Sequence, residues 1–467
     1  MQCLSPDNIE CIKRALIPVQ IVYGCSTENL LLPTLLLHGY TGIQLVLNIL
    51  LSLSSIMRFS EHVFRMVKEP SPIREIMKMA ERENIINMGI DPDEFISFGG
   101  GWVNHQAPDE LREAYLEIAS DDQNFHVSGG YSPTPGLIEL REKICEMERL
   151  LFGVKAGAKN VIIGQSSTQL TADLFLSIVD RNDKVILLDP TYANYVGQIK
   201  LLVPDARIVR VKVFDENSWT IDEENAMEGI KKEFESGAKL LIFPSPDNPT
   251  SHVFSDDFVN CCLDCASDAC GFVILDYAYK TQAFVSPPKY YSYSPSEYPN
   301  LIAIYSNSKW CRGLGRRLGW VIGSEEVIEV MERVQQATIL CPDSLHQMAF
   351  LQYLNFALQN KTLKKYLDVV RKQYMKAAQV TIEAIENFIG EKYTVPEGGL
   401  YTVVHVGMDG DEFVKKIVKA TGVLFVPGRG FGCSIGEGVR VSYGPLVDNT
   451  EKIREGMRRV GEYLGRV

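Results

Sequence analysis

The 467-residue chain has no basic excess: 47 Lys and Arg stand against 59 Asp and Glu, for a formal net charge of −12. That balance argues against a nucleic-acid-binding domain built on a positive surface and leaves open only a local basic pocket. Cysteine is scarce and odd in number, 11 in all, which excludes a secreted disulfide scaffold and points to a reduced, cytoplasmic compartment. Cys261, Cys262, Cys265 and Cys270 do cluster, but CC-x2-C-x4-C lacks both paired CxxC spacing and the histidines of a zinc site, so no metal is expected. They fall in DDFVNCCLDCASDACGFVILD, which reads as a helix running into a strand with ordinary buried thiols. No internal repeat or low-complexity linker is present. What remains is average globular usage, 46% hydrophobic and 23% charged, in a length that predicts two or three domains.

Charge is also missing from Asn29 to Met57 if His38 is neutral, a stretch formally long enough to span a membrane. Pro33, His38, Gly39, Thr41, Gly42, Gln44 and Asn48 break it into shorter pieces, and no Lys or Arg cluster flanks it. Asp7 and Glu10 precede it where a secretory signal carries basic residues. No membrane association is therefore expected. The compositional break favours a biological start at Met57, where the sequence turns charged and amphipathic, over a true anchor. Residues 1–56 are set apart as an N-terminal extension.

From about Asn160 strand-like runs alternate with helical stretches: NVIIG at 160–164, KVILLD at 184–189, ARIVRV at 206–211, KLLIF at 239–243, FVILD at 272–276, LIAIYS at 301–306 and GWVIG at 319–323. Apolar runs without clean period-two patterning predict an α/β fold with a mainly parallel central sheet covered on both faces. After Ser324 the pattern becomes helical, and strands resume in GGLYTVVHV, GVLFVP and VRVSYG. The expected division is an N-terminal arm and part of a small domain at 57–110, a large domain at 111–345, and a smaller α+β domain at 346–467.

Ligands of an open parallel sheet bind beyond the carboxyl ends of its strands. Those ends carry SSTQ at 166–169, DPTYANY at 189–195, PSPDNPT at 244–250, DYAY at 276–279 and SNSKWCRGLGRR at 306–317. An acid, a lysine, an arginine, an amide, aromatic rings and several hydroxyls make an inventory for a flat, phosphorylated, nitrogen-containing cofactor.

From about Ser71 to the C-terminus this set resembles the fold-type I pyridoxal-phosphate enzymes, specifically the class I/II aminotransferases. SNSKWCRGLGRRLGW is similar to the family's S-x-S-K followed by an arginine eight residues on. The resemblance implies pyridoxal 5'-phosphate as cofactor, with Lys309 forming a Schiff base to it and then moving the substrate's α-proton. Arg317 and Ser306 would hold the phosphate, together with the SSTQ turn, where Ser166, Ser167 and Thr168 open a helix and Ser166 replaces the usual glycine. Asp276 would pair with the pyridine nitrogen and keep the ring an electron sink. Tyr279 and Asn248 would hydrogen-bond the ring's phenolic oxygen, and Tyr192 would stack on its face. DNPTS carries Ser251 where the family has glycine. Arg440 of EGVRVSYG would bind the substrate α-carboxylate, and Tyr131 would reach the cofactor phosphate of a neighbouring subunit, which implies a homodimer with shared sites.

Gly100 and Gly101 of SFGGGWVN match the family's substrate-side glycine turn, with Val103 where proline usually stands. SPIREIMK followed by ISFGGG resembles the subgroup of 2-aminoadipate and kynurenine-type aminotransferases, in which the arginine at Arg74 meets a distal carboxylate; a surface ion pair of Arg74 with Glu75 or Glu81 is the competing assignment. The implied reaction moves the amino group of an L-amino acid to a 2-oxo acid such as 2-oxoglutarate. Two alternatives stay open at this level. SSTQL also resembles the turn of alliinase-like lyases, which would make the chain a β-eliminating C–S lyase. A non-catalytic sensor of cofactor or amino acid is the other, although residues 1–56 show no helix-turn-helix or basic patch.

Overall fold

The structure is a computed structural model and describes residues 60–68 and 76–466. The apolar stretch from Asn29 to Met57 and the candidate Arg74 lie outside the described residues. Residues 1–65 form a unit of their own, whose described part is the opening of the helix Glu61–Lys68. Among the described residues no helix is long and apolar enough to cross a membrane.

The second unit, from Met66 onward, is built on the seven strands that the apolar runs predict: β1 (Val161–Gly164), β2 (Lys184–Asp189), β3 (Arg207–Lys212), β4 (Ala238–Pro244), β5 (Phe272–Asp276), β6 (Leu301–Ser306) and β7 (Gly319–Ile322). They form one sheet in the order β1-β7-β6-β5-β4-β2-β3, in which β7 alone runs antiparallel to its neighbours. The sheet has no polar face because both faces are covered. Ile163, Ile186, Leu188 and Leu241 enter one core while the alternating Ile162, Val185, Leu187 and Leu240 enter another. Each such side chain contributes roughly 1.5–3 kcal/mol on burial.

Five helices supply the cover: α1 (Ile138–Phe152), α2 (Ser167–Ile178), α3 (Asp256–Asp268), α4 (Glu325–Thr338) and α5 (Ser344–Gln359). Leu170 and Phe175 of α2 and Ile328 and Met331 of α4 lie in one core; Ile144 of α1, Phe258 of α3 and Phe350 of α5 lie in the other. The last three to start are capped by side chains that accept orphan helix N–H groups: Ser255 from Phe258, Ser324 from Val327 and Asp343 from His346. The four clustered cysteines need a correction. Only Cys262 sits on the buried face of α3; Cys261 and Cys265, one turn apart, are half-buried and Cys270, beyond the helix end, is exposed. An amphipathic helix buries one stripe, and a run of four cysteines cannot all fall on it. No metal-holding cluster occurs among the described residues.

A third core surrounds a smaller sheet of β8 (Tyr401–His405), β9 (Val426–Pro427) and β10 (Gly438–Ser442), antiparallel in the order β8-β10-β9. The long helix α6 (Thr362–Ala384) joins the two regions: Leu363 and Leu367 belong to the large sheet's core, Val370, Tyr374 and Ala377 to the smaller one. The segment before residue 110 packs here as well, since Ile96 and Ser97 pair in parallel with Val423 and Leu424. Register decides where chemistry can gather. Asp276 stands opposite Pro244 and Ile304, and Gly319 opposite both Ser306 and Gly164, so the turns after β1, β4, β5 and β6 open onto one edge.

Candidate active site

The turn between β1 and α2 forms the first wall. Ser166 has φ 87° and ψ 162°, a backbone state nearly confined to glycine that costs a side chain about 1–3 kcal/mol. Its hydroxyl accepts a bond from Arg317 Nη2 at 2.5 Å. Gly319 lies tight against this turn; a Cβ there would stand 2.9 Å from both the Ser166 carbonyl carbon and the Ser167 nitrogen. Ser167 and Thr168 therefore present the open N-terminus of α2 to the cleft, with the guanidinium of Arg317 beside it. Across from them, Ser306 Oγ donates to Ser308 Oγ at 2.7 Å and accepts the Ser308 N–H at 3.0 Å.

Asp276 ends β5 almost completely buried. Its Oδ1 accepts the Ala278 N–H and its Oδ2 the Tyr195 hydroxyl, each at 3.0 Å. Burial pushes its pKa up, while those two donors and the charge of Lys309 pull the other way. Lys309 is shifted down to about 8, first by removal from water and then by Arg440, with Arg317 adding to the effect against the pull of Asp276. Its Nζ donates to the Gly101 carbonyl and lies 5.9 Å from the centre of the Tyr279 ring.

The third wall comes from the turn after β4 and from β10. Arg440, buried between the rings of Tyr401 and Phe431 at 4.3 and 4.6 Å, donates through Nη1 to Asn248 Oδ1 at 3.0 Å and through Nη2 to the Gly99 carbonyl at 2.9 Å. Its Nε is buried with no protein partner. Asn248 is held by its own turn: Asp247 Oδ2 accepts the Thr250 N–H at 3.1 Å and the Thr250 hydroxyl at 2.6 Å. Ser251, at φ 60°, keeps the left-handed backbone that its glycine counterpart would take and uses its hydroxyl to accept the Tyr401 N–H. Next along, His252 bonds Glu223 and Glu397, both at 2.8 Å. Burial alone would lower its pKa, but the two carboxylates outweigh it and raise it to about 9, so the ring is charged at neutral pH. The Tyr279 hydroxyl pairs with that of Tyr401 at 2.8 Å.

These walls enclose a cleft of about 390 Å³. Its charged lining is Asp276, Lys309, Arg317 and Arg440, three cations against one carboxylate, which suits an anionic occupant. The family model described as aminotransferase class I and II matches residues 94–460. The chain belongs to that family. Its enzymes are pyridoxal-phosphate-dependent, so the chain is a transferase of amino groups between an amino acid and a 2-oxo acid. It is 28% identical to an aspartate aminotransferase of Pyrococcus horikoshii over 84% of this chain and 94% of the relative. It is 26% identical to aromatic-amino-acid aminotransferase 2 of Thermococcus litoralis over 84% of this chain and 95% of that one. Among solved structures, aspartate aminotransferase from Thermus thermophilus with maleate shares the fold with a TM-score of 0.74 at 23% identity, covering 87% of this chain and all (100%) of that one.

Measured against the aminotransferase resemblance, the structure brings Ser167, Thr168, Tyr192, Asn248, Asp276, Tyr279, Ser306, Lys309, Arg317, Arg440 and Gly101 to one cleft, with Ser166 behind its first wall. Tyr131 is elsewhere, 87% exposed and outside the cleft lining of its own chain. Val103, at the family's proline position, is buried in the smaller core. Several residues escaped the sequence reading. Tyr195 lies in the quoted DPTYANY run, and its distance of three from Tyr192 on a helix start was the available signal; the two rings meet edge-on at 5.2 Å. Tyr401, Phe431, Trp102, Leu314 and Met77 also line the cleft, and no local motif marks them.

Proposed function

We propose that the chain is a pyridoxal 5'-phosphate-dependent aminotransferase that moves the amino group of an L-amino acid to 2-oxoglutarate through Lys309. The observation that carries this reading is the meeting, in one cleft, of a lysine lowered to about 8 with a buried carboxylate and two arginines. Bound there, the cofactor supplies a carbonyl that captures the amino group and a ring that delocalises the electrons left at the substrate Cα. The donor set fits it. A cationic ring nitrogen would stabilise the Asp276 carboxylate that burial disfavours, and the α2 N-terminus with Arg317, Ser306 and Ser308 fits a phosphate.

Lys309 acts in two ways. A lysine whose pKa is near 8 is partly neutral at physiological pH, so its Nζ is a competent nucleophile and afterwards takes and returns the α-proton. Asn248 gives its amide oxygen to Arg440, which leaves its N–H groups to donate to the cofactor's phenolic oxygen alongside Tyr279. Arg440 keeps a free Nε–H toward the substrate carboxylate and, fixed by Asn248 and Gly99, orients the Cα–H bond toward Lys309. Tyr192 packs against the ring face.

The domain division is proposed as read from the sequence, with 1–56 an extension, 57–110 and 346–467 around the smaller sheet and 111–345 around the larger. A cytoplasmic location is supported by the eight free cysteines among the described residues, and cell fractionation checks it. A homodimer is supported by Tyr131 at 87% exposure together with Leu116, Phe125 and Val127, each more than half exposed on the helices just before it. Sedimentation at micromolar concentration gives twice the monomer mass; an active strict monomer removes the role assigned to Tyr131.

The reaction itself is tested by absorption spectra of the cofactor-loaded protein, mixed with single L-amino acids and then with 2-oxoglutarate. A donor shifts the visible band of the cofactor to that of its amino form, and the oxo acid restores it. A persistent band with release of pyruvate and ammonia instead assigns elimination and overturns the proposal.

A further inference from the structure

The loop from Phe98 to Gln106 has no regular secondary structure, yet it is bonded to three other elements. Its early carbonyls serve the cleft directly: Gly99 accepts from Arg440 and Gly101 from Lys309. Its later residues reach the lysine's own loop. Asn104 Oδ1 accepts a bond from Arg312 Nη2 at 3.1 Å, while Asn104 Nδ2 donates to Asp448 at 2.7 Å. His105 is buried, with Nε2 at 3.0 Å from the carbonyl of Trp310, the residue after Lys309, and Nδ1 at 2.8 Å from the hydroxyl of Tyr374 on α6.

Chemistry fixes the proton on this ring. A carbonyl oxygen only accepts, so Nε2 carries the hydrogen. Burial, aided by the charge of Arg312 and opposed by the Trp310 bond, lowers the His105 pKa to about 4, so the ring is neutral and Nδ1 must accept from Tyr374. Tyr374 and Tyr366 enclose the ring, the first edge-on at 5.5 Å. The bond to Trp310 thus joins a cleft loop, the lysine loop and α6 through one side chain with a defined donor and a defined acceptor.

We propose that His105 is a positioning residue for Lys309: by holding the Trp310 carbonyl and the Tyr374 hydroxyl, it locks the lysine-bearing loop to the glycine loop and to α6. The inference rests on the reading of Lys309 given above. It adds a residue that no motif marks and that touches neither substrate nor cofactor. A displacement of about 1 Å in a reacting group is enough to cost 10²-fold in rate, so the lock acts on the chemical step and leaves the donor contacts of Arg440 and Asn248 unchanged.

The test compares wild type with His105→Ala, His105→Gln and Tyr374→Phe, all loaded with pyridoxal phosphate. Borohydride reduction followed by mass spectrometry counts the cofactor fixed to Lys309, and half-reaction kinetics separate kcat from KM. In His105→Ala, kcat falls roughly 10- to 100-fold, KM for the donor stays within about threefold, and trapping at Lys309 drops. His105→Gln, whose Nε2–H groups can still donate to the Trp310 carbonyl, recovers most of both signals. Tyr374→Phe keeps the ring packing and removes only the hydroxyl that sets the tautomer, so it reports the same kcat loss in milder form should His105→Ala fail to fold. Wild-type kcat and trapping in the His105 variants overturn the proposal, as does a His105→Gln protein no better than His105→Ala, which would make the role one of packing. If the Lys309 reading itself is wrong, the wild-type protein gives no trapped cofactor at Lys309, a result distinct from either.

Discussion

Lys309→Ala removes the visible band of the bound cofactor and lowers turnover by about 10⁴-fold or more, the upper end of what a positioned acid–base group contributes, because the nucleophile is lost with it. The side chain projects among Asp276, Arg317 and Arg440, and it alone in that group can both attack a carbonyl and carry a proton at neutral pH. Arg317 and Arg440 stay charged and Asp276 ends at hydrogen bonds from Tyr195 and Ala278. Single-turnover spectra with an amino donor check the claim. A variant that retains transamination within tenfold of wild type removes Lys309 from the mechanism. Added small amines should restore part of the proton transfer without restoring the covalent band, which separates the lysine's two tasks.

Asp276→Asn has the next largest effect. The substitution is isosteric and keeps an oxygen for Tyr195 or Ala278, so the fold stands; what it removes is the negative charge. The carboxylate is buried, and burial disfavours its ionised form until a cation is placed against it. A cofactor whose ring nitrogen is protonated is such a cation. Without the charge, the ring loses its pull on the electrons left at Cα, at a cost of about 3–4 kcal/mol or 10²–10³ in kcat. The cofactor should also dissociate more readily. Equilibrium titration of the apoprotein with pyridoxal phosphate and steady-state kcat measure the two effects; kcat within about threefold of wild type rules out the pairing.

Much of the site was legible because its residues sit in short runs at strand ends. Lys309 and Arg317 are eight apart in one loop, Asn248 lies in DNPTS and Asp276 closes FVILD. Such groups are carried by the turn that follows each strand, and the strand itself is recognisable as an apolar run. The partners that tune them were not legible. Tyr401 reaches Tyr279 across 122 positions and Asn248 reaches Arg440 across 192, and nothing in either local sequence specifies the other. His105 illustrates the same limit: a lone histidine in a loop has no pattern, and only its contacts with Trp310 and Tyr374 distinguish it. The cysteine run erred in the opposite direction, since composition groups four thiols that a helix then distributes over different faces.

By itself, the sequence determined the α/β class, the seven strands of the large sheet and the family of the chain. These depend on local apolar runs and on motifs with fixed spacing, which a chain carries wherever it folds. Strand order, and with it the side-by-side placement of Asp276, Ser306 and the turn at Ser166, was decided only in the tertiary structure. So were the lowered pKa of Lys309, the clamp of Asn248 and Gly99 on Arg440, and the lock formed by His105. The reason is physical: a pKa shift, a shared hydrogen bond or a register between strands is a relation among groups far apart in the chain, and it exists only once packing has brought them within a few ångströms in a site withdrawn from water.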